Sequence, residues 1–123
     1  MSHLQGLQAA LGSATLITDP DITASYSHDQ APFAEHQPPF AVLLAKSAEE
    51  ISIALRYANE HQIPLVTRGA GSGLAGGANA STQSLVISLE KMNQIIAIDQ
   101  VNRIARVQAG VINLDLDNAV KKF

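Results

Sequence analysis

Hydrophobic positions change their spacing several times along this chain, and each change marks an element. Leu4, Leu7 and Leu11 share one helical face and Gly12 follows as a stop, which predicts a short opening helix. Residues 18–39 (TDPDITASYSHDQAPFAEHQPP) are polar, proline-containing and aperiodic, and are expected to cross the surface as a loop. FAVLLA at 40–45 is a continuous apolar run, the pattern of a strand buried on both faces. Ser47 and Glu50 stand at capping-box spacing and open a helix expected to bury Ile51, Leu55 and Ala58. Pro64 ends that helix, and 64–67 resumes as a second buried strand. A helical crossover of this length makes its two strands parallel.

Residues 85–89 form a third apolar run. Residues 94–99 and 103–109 predict a hairpin around Gln100, Val101 and Asn102. In its second arm Ala105, Val107 and Ala109 alternate with Arg106 and Gln108, the period of a half-buried strand. Asn113 is expected to cap a last helix whose apolar stripe is Ile112, Leu116, Ala119, Val120 and Phe123. The pattern as a whole predicts an α+β fold with a small, mainly parallel sheet, flanking helices and an antiparallel hairpin at its end.

Composition narrows the function classes. The 123 residues are enough for one domain or a piece of one, and 46% hydrophobic with 15% charged residues describes a globular chain. A net charge of −3 supplies no basic footprint for nucleic acid and no polybasic segment for anionic lipid. Without cysteine there is no disulfide, thiolate metal site or cysteine nucleophile, and a reducing, cytoplasmic setting is expected. The opening MSHLQGLQAALGS does not read as a signal peptide, and the longest apolar run, 38–45, is too short to span a bilayer. His3, His28, His36 and His61 lack ligand spacing, so no metal site is expected. The Lys121–Lys122 pair reads as the solvated side of the last helix.

The chemistry concentrates in IPLVTRGAGSGLAGGA, residues 63–78, which holds five of the eight glycines. Glycines after a buried strand let the backbone turn sharply and aim successive N–H groups into one concavity, a nest for an anion. Gly71, Gly73 and Gly76 match the dinucleotide fingerprint G-x-G-x-x-G, and Glu90 lies nineteen residues after Gly71, where a ribose-binding acid is expected. The context is wrong for that fold. Residues 76–83 (GGANASTQ) are poor helix formers without an apolar stripe, and no crossover helix fits before the strand at 85. Residues 76–83 are therefore expected to be irregular. A phosphate-binding Walker loop fails as well, because no Lys-Ser or Lys-Thr follows the glycines. Ser72 has no His–Asp partnership to make it a nucleophile.

The run Arg68, Gly69, Ala70, Gly71, Ser72, Gly73, Leu74, Ala75, Gly76, Gly77, Ala78 resembles the pyrophosphate loop of FAD-linked oxidases of the vanillyl-alcohol oxidase/p-cresol methylhydroxylase type. The glycolate oxidase and D-lactate dehydrogenase branch is the most similar. Tyr26-Ser27-His28-Asp29, residues 41–50, LVISLEKMN at 85–93 and residues 108–116 agree, so the resemblance covers essentially the whole chain. It implies the FAD-binding domain of that type, in a flavoprotein oxidising a 2-hydroxy acid such as glycolate or D-lactate. Backbone groups of Gly69, Ala70, Gly71, Ser72 and Gly73 and of Gly77 and Ala78 would cradle the FAD pyrophosphate, with Arg68 and Leu74 flanking it. His28 and Asp29 would lie near the cofactor, although an Asp in a polar loop is also an ordinary turn former.

Members of that family continue with a further glycine-rich stretch and a substrate domain. The resemblance thus implies that residues 1–123 are the N-terminal part of an incomplete FAD-binding domain, with catalytic groups beyond Phe123. Relatives with covalent flavin attach it through a loop histidine whose matching position here is Ser72, so FAD is expected to be non-covalent. Such a piece alone is expected to bind FAD weakly, turn over no substrate and self-associate. The alternatives are a truncated, non-catalytic nucleotide-binding fragment and an NAD-binding Rossmann domain.

Overall fold

The computed structural model describes residues 2–123. Helix α1 (His3–Leu11) is opened by a full capping box: Ser2 Oγ accepts the Gln5 N–H and Gln5 Oε1 accepts the Ser2 N–H. Gly12 closes it with its N–H on the Gln8 carbonyl, and Leu7 and Leu11 are buried as the spacing predicts. A short strand, β1 (Thr15–Ile17), follows and has no counterpart in the sequence reading. Three residues are too few to show a period. The expected loop then contains helix α2 (Pro20–Thr23), with Asp19 as cap and Pro20 in its first turn, and a 3-10 turn at Ala24–Tyr26. The Asp-Pro pair is a helix-start signal that the polar composition hides.

Strands β2 (Ala41–Leu44), β3 (Leu65–Arg68) and β4 (Leu85–Ser88) complete a four-stranded sheet of order β1-β2-β4-β3. Strand β4 pairs in parallel with both β2 and β3, while β1 runs antiparallel to β2. The crossover strands β2 and β3 are parallel as expected, but β4 lies between them. Strand β3 is therefore an edge strand and only half-buried, and β4 is the one buried throughout. In this register Leu44, Arg68 and Ser88 are aligned, so the carboxyl ends of three parallel strands form one rim.

Helix α3 (Ala48–Glu60) crosses from β2 to β3, with Ser47 Oγ accepting the Glu50 N–H at 3.2 Å. Only half of the expected box forms, because Glu50 Oε2 accepts the Lys46 N–H instead of that of Ser47. The buried face departs from expectation at one position, with Ala58 buried and Ile51 packed against the core as expected. Ala54 and Ala58 are buried while Leu55 is 47% exposed. Alanines let the helix axis approach the sheet closely, which pushes the longer leucine to the flank.

Alternation along the strands divides the core in two. Ala41, Leu43, Leu85 and Ile87 meet α1 and α3 through Leu7, Leu11, Ala54 and Ala58, joined by Ile63 just after α3. Val42 and Val86 point the other way, where Ala80, Ile17, Tyr26, Leu44 and Val66 cover them. One face thus carries helices and the other carries loops, including the return arm of the glycine segment.

The hairpin forms as its own two-stranded sheet, β5 (Ile95–Asp99) and β6 (Ile104–Val107), with a bulge between Ile95 and Ala97. Asp99 fixes its turn by accepting the Asn102 N–H at 3.0 Å and the Asn102 amide at 2.7 Å, and these bonds hold the Asp99 carboxyl below its usual range. Helix α4 (Asn113–Val120) follows, but Ile112 is its cap position and no side chain caps it, so the expected Asn113 cap does not form. Of the expected stripe, Leu116, Ala119 and Val120 are half-buried, whereas Ile112 and Phe123 are exposed.

The hairpin is tied to the main sheet at Gly110, whose N–H donates to the Met92 carbonyl at 2.8 Å. A Cβ there would run into the Leu89 carbonyl, so only glycine permits this approach. Gly110→Ala is expected to cost about 1–3 kcal/mol of stability by overpacking against backbone. Urea unfolding of both chains tests this, and a difference under about 0.5 kcal/mol, the range of neutral surface changes, contradicts it.

Candidate functional site: a glycine loop at the rim of the parallel strands

Arg68 ends β3, and the glycine loop begins at once, on the rim made by the carboxyl ends of the strands. From Gly69 to Ser84 the backbone has turns and bends but neither helix nor strand. The expected irregular stretch at 76–83 is borne out, and no helix opens on the glycines. The NAD-type reading fails on this point, since its pyrophosphate needs that helix N-terminus. Any phosphate here has to take its donors from the loop itself.

Those donors exist. Among the described residues, no backbone N–H from Gly69 to Ala75 donates to a protein acceptor. All of these residues except Gly71 are exposed. They line a cleft of about 340 Å³ together with Asp29, Gly77 and Ala78. A Cβ at Gly69 or Gly77 would meet nothing within 4 Å, so the main chain there is open to close approach. Gly71 differs, being buried with φ +69°, and a Cβ on it would collide with the Arg68 guanidinium.

A second segment, 27–37, clasps the far arm of the loop. Its key is Asp29, only 5% exposed, whose Oδ1 accepts the Ala31 N–H at 2.8 Å and whose Oδ2 lies 3.5 Å from the Ala78 N–H. The Ala31 bond, followed by those from the Ala78 and Gly76 N–H groups, holds its carboxyl below the usual carboxylate range despite partial desolvation. The clasp continues through Gln30 N–H to the Gly73 carbonyl at 2.9 Å, Asp29 N–H to Asn79 Oδ1 at 3.0 Å, and Asn79 Nδ2 to the Glu35 carbonyl at 3.1 Å. Asp29 is thus both the turn former and the anchor of the cleft. Its loop composition suggests only the first.

Arg68 does not reach outward beside the loop but lies beneath it. Its Nη1 donates to the His28 carbonyl at 2.6 Å, and its Cζ lies 5.6 Å from the centre of the Tyr26 ring, a cation–π contact. The Tyr26 hydroxyl donates to Glu90 Oε1 at 2.6 Å. That bond, with burial second, pushes the phenol up to about 12. Glu90 stands in the fingerprint position for a ribose acid and is occupied instead with Tyr26. Ser72 and Leu74 are exposed on the outer wall, Leu74 at 75%. The His28 and His36 rings meet at a 45° tilt with centroids 4.5 Å apart, and Ser27 Oγ lies 3.3 Å from His36 Nδ1. No group of three or more His, Cys, Asp or Glu side chains suited to a metal ion occurs among the described residues. Tyr26 and Glu90 are the residues sequence reasoning missed as a pair. They are 64 positions apart, and no local pattern joins them.

Free N–H donors, absent Cβ atoms and one fixed guanidinium suit a compact polyanion, and a diphosphate fits that chemistry. A family model described as FAD binding domain matches residues 39–123. The glycolate oxidase subunit GlcD of Bacillus subtilis is 42% identical over 96 residues, covering 78% of this chain and 20% of its own. An uncharacterized FAD-linked oxidoreductase of Mycobacterium tuberculosis is 36% identical over 109 residues, covering 89% and 24%. A D-lactate dehydrogenase of Archaeoglobus fulgidus is 42% identical over 80 residues, covering 65% and 18%. The chain thus spans a quarter or less of the length of these relatives. Among solved structures, p-cresol methylhydroxylase superimposes with a TM-score of 0.78 at 26% identity, over 98% of this chain and 24% of that one. The 4-ethylphenol oxidase of Gulosibacter chungangensis has the same fold, with a TM-score of 0.81 at 23% identity over 98% and 24%. Glycine loop, sheet order and relatives converge, and the chain belongs to the FAD binding domain family of the FAD-linked oxidoreductases.

Proposed function

We propose that the cleft on the glycine loop holds the pyrophosphate of FAD. The observation that carries this reading is the run of backbone N–H groups from Gly69 to Ala75 with no protein acceptor. Gly69, Ala70, Gly71, Ser72 and Gly73 supply the near wall, and Gly77 and Ala78 the far wall. Leu74 flanks the opening, and Arg68 supplies its charge from below. Each N–H bond to a charged oxygen is stronger than one to a neutral acceptor, and several together hold a dianion alongside the charge of Arg68.

The substrate we infer is a 2-hydroxy acid such as glycolate or D-lactate, supported by the similarity to GlcD of Bacillus subtilis and the D-lactate dehydrogenase of Archaeoglobus fulgidus. When bound, the flavin supplies the oxidation chemistry. This chain's contribution is to bind and orient it, and the catalytic groups lie beyond residues 1–123, which form the N-terminal part of a larger FAD-binding domain. Flavin is held without a covalent bond, because Ser72 is a weak nucleophile unaided and the sequence has no cysteine. No helix among the described residues is long and apolar enough to cross a membrane. The cysteine-free composition suits the cytoplasm. Exposed Ile104, Leu114 and Phe123 and the free edge of β3 favour self-association of the 123-residue chain with a second copy.

Three outcomes are expected. Titrated with FAD, the purified chain binds weakly, at micromolar Kd or above, elutes in a concentration-dependent manner on size exclusion, and reduces no dye with D-lactate or glycolate. Submicromolar binding together with substrate-dependent reduction contradicts the assignment of the catalytic groups. After acid precipitation of the loaded chain, flavin stays in the supernatant, and a yellow pellet contradicts non-covalent binding. Asp29 supplies the pH dependence. Its folded-state carboxyl titrates below the unfolded value, so its contribution is present above about pH 4 and is lost as pH falls through the folded value. Asp29→Asn is expected to lower stability at pH 7 and to flatten the acid limb of a stability–pH curve. Parallel curves for the two chains would remove Asp29 from the clasp.

A further inference from the structure

Arg68 is the single cation between residues 57 and 90, so it decides the charge beneath the glycine loop. An arginine side chain loses substantial rotamer freedom when it is fixed, and a site that fixes it before the ligand arrives binds more tightly. Three contacts fix this one: the Tyr26 ring face, the His28 carbonyl and the space left by the missing Cβ of Gly71. A carboxylate is close at hand, yet it forms no ion pair with Arg68. Among the described residues the one ion pair is Lys121–Asp117, on the surface of α4. Glu90 gives its Oε1 to the Tyr26 hydroxyl at 2.6 Å instead.

This arrangement has an electrostatic consequence. A direct Glu90–Arg68 pair would neutralise the guanidinium and leave the loop with its N–H dipoles alone. With the phenol interposed, the carboxylate is held away and the ring still faces the guanidinium. We propose that Tyr26 and Glu90 are positioning residues, which hold Arg68 under Gly71 as an unneutralised positive charge for the diphosphate. The proposal rests on the reading of the cleft as a pyrophosphate site. The raised phenol has the Tyr26–Glu90 hydrogen bond as its main cause, in keeping with a proton held on the Tyr26 oxygen and donated to Glu90.

The role differs from a merely structural one in a testable way. Removing the hydroxyl frees Glu90 to move onto Arg68, so removing the Glu90 charge as well should repair the damage. The full chain and its Tyr26→Phe, Glu90→Gln and Tyr26→Phe/Glu90→Gln variants are titrated calorimetrically with ADP, with melting temperatures measured alongside. Tyr26→Phe is expected to weaken ADP binding by about tenfold, the scale of one charge-assisted contact, and the double variant to recover to within about twofold of the parent. Glu90→Gln alone still accepts the hydroxyl, and is expected to bind ADP at least as tightly as the parent. Raised salt should narrow the gap between Tyr26→Phe and the parent, because it screens the charge at issue. Tyr26→Phe binding like the parent, a double variant no better than Tyr26→Phe, or a weakened Glu90→Gln each overturns the proposal. If Tyr26→Phe does not fold, Tyr26→Leu is compared with Tyr26→Leu/Glu90→Gln in its place, and a double variant that binds ADP no tighter than the single one overturns the proposal. A parent chain that binds no ADP overturns the pyrophosphate reading itself, and this inference with it.

Discussion

A loop proposed to bind an anion through its own N–H groups must keep those groups unpaired while still holding one shape, and this conflict governs the structure around residues 69–78. Unpaired backbone donors are tolerated only where solvent or a ligand reaches them. The protein resolves the conflict by fixing the loop through everything else. The carbonyl of Gly73 and the N–H groups of Ala78 and Ala80 are engaged by Gln30, Asp29 and Ser27, while the donors from Gly69 to Ala75 have no protein acceptor. Arg68 closes the floor under Gly71. The sheet supplies the remaining reference, because the loop starts on β3 and returns to β4, its hydrogen-bonded neighbour.

The two faces of the sheet serve different ends. Helices α1 and α3 cover one with aliphatic side chains and give the stability of a conventional core. The other is sealed by Tyr26 and Ala80, which belong to the segments that build the cleft. Packing energy on that face therefore positions the loop as well. This explains why a 3-10 turn at Ala24–Tyr26 precedes the clasp: it delivers the Tyr26 ring to Val42 and Val86 on one side and to Arg68 on the other.

Most of the frame was legible in the sequence because it rests on local pattern. The runs at 40–45 and 85–89, the alternation at 105–107 and the leucine spacing of α1 each place an element with its type correct. The irregularity of 76–83 was legible too, from poor helix formers after the glycines. What was not legible depended on contacts between distant residues. Strand β1 is short and defined by pairing with β2, the edge position of β3 follows from β4 inserting beside it, and Leu55 yielded to Ala54 because the sheet sets how near α3 lies. The site divides in the same way. The glycine run announces itself, but Asp29, Tyr26 and Glu90 become a clasp and a floor only after the fold brings residues 49 to 64 positions apart together.

The central claim is that the main-chain N–H groups of residues 69–75 receive the diphosphate. Amide-resolved 1H–15N spectra of the uniformly labelled chain, recorded while FAD is added, address it directly. The account predicts that the largest shifts fall on Gly69, Gly71, Gly73 and their neighbours, with Ala78 moving less because Asp29 already holds its N–H. Shifts centred on the hairpin and α4 with the glycine amides unmoved would contradict it.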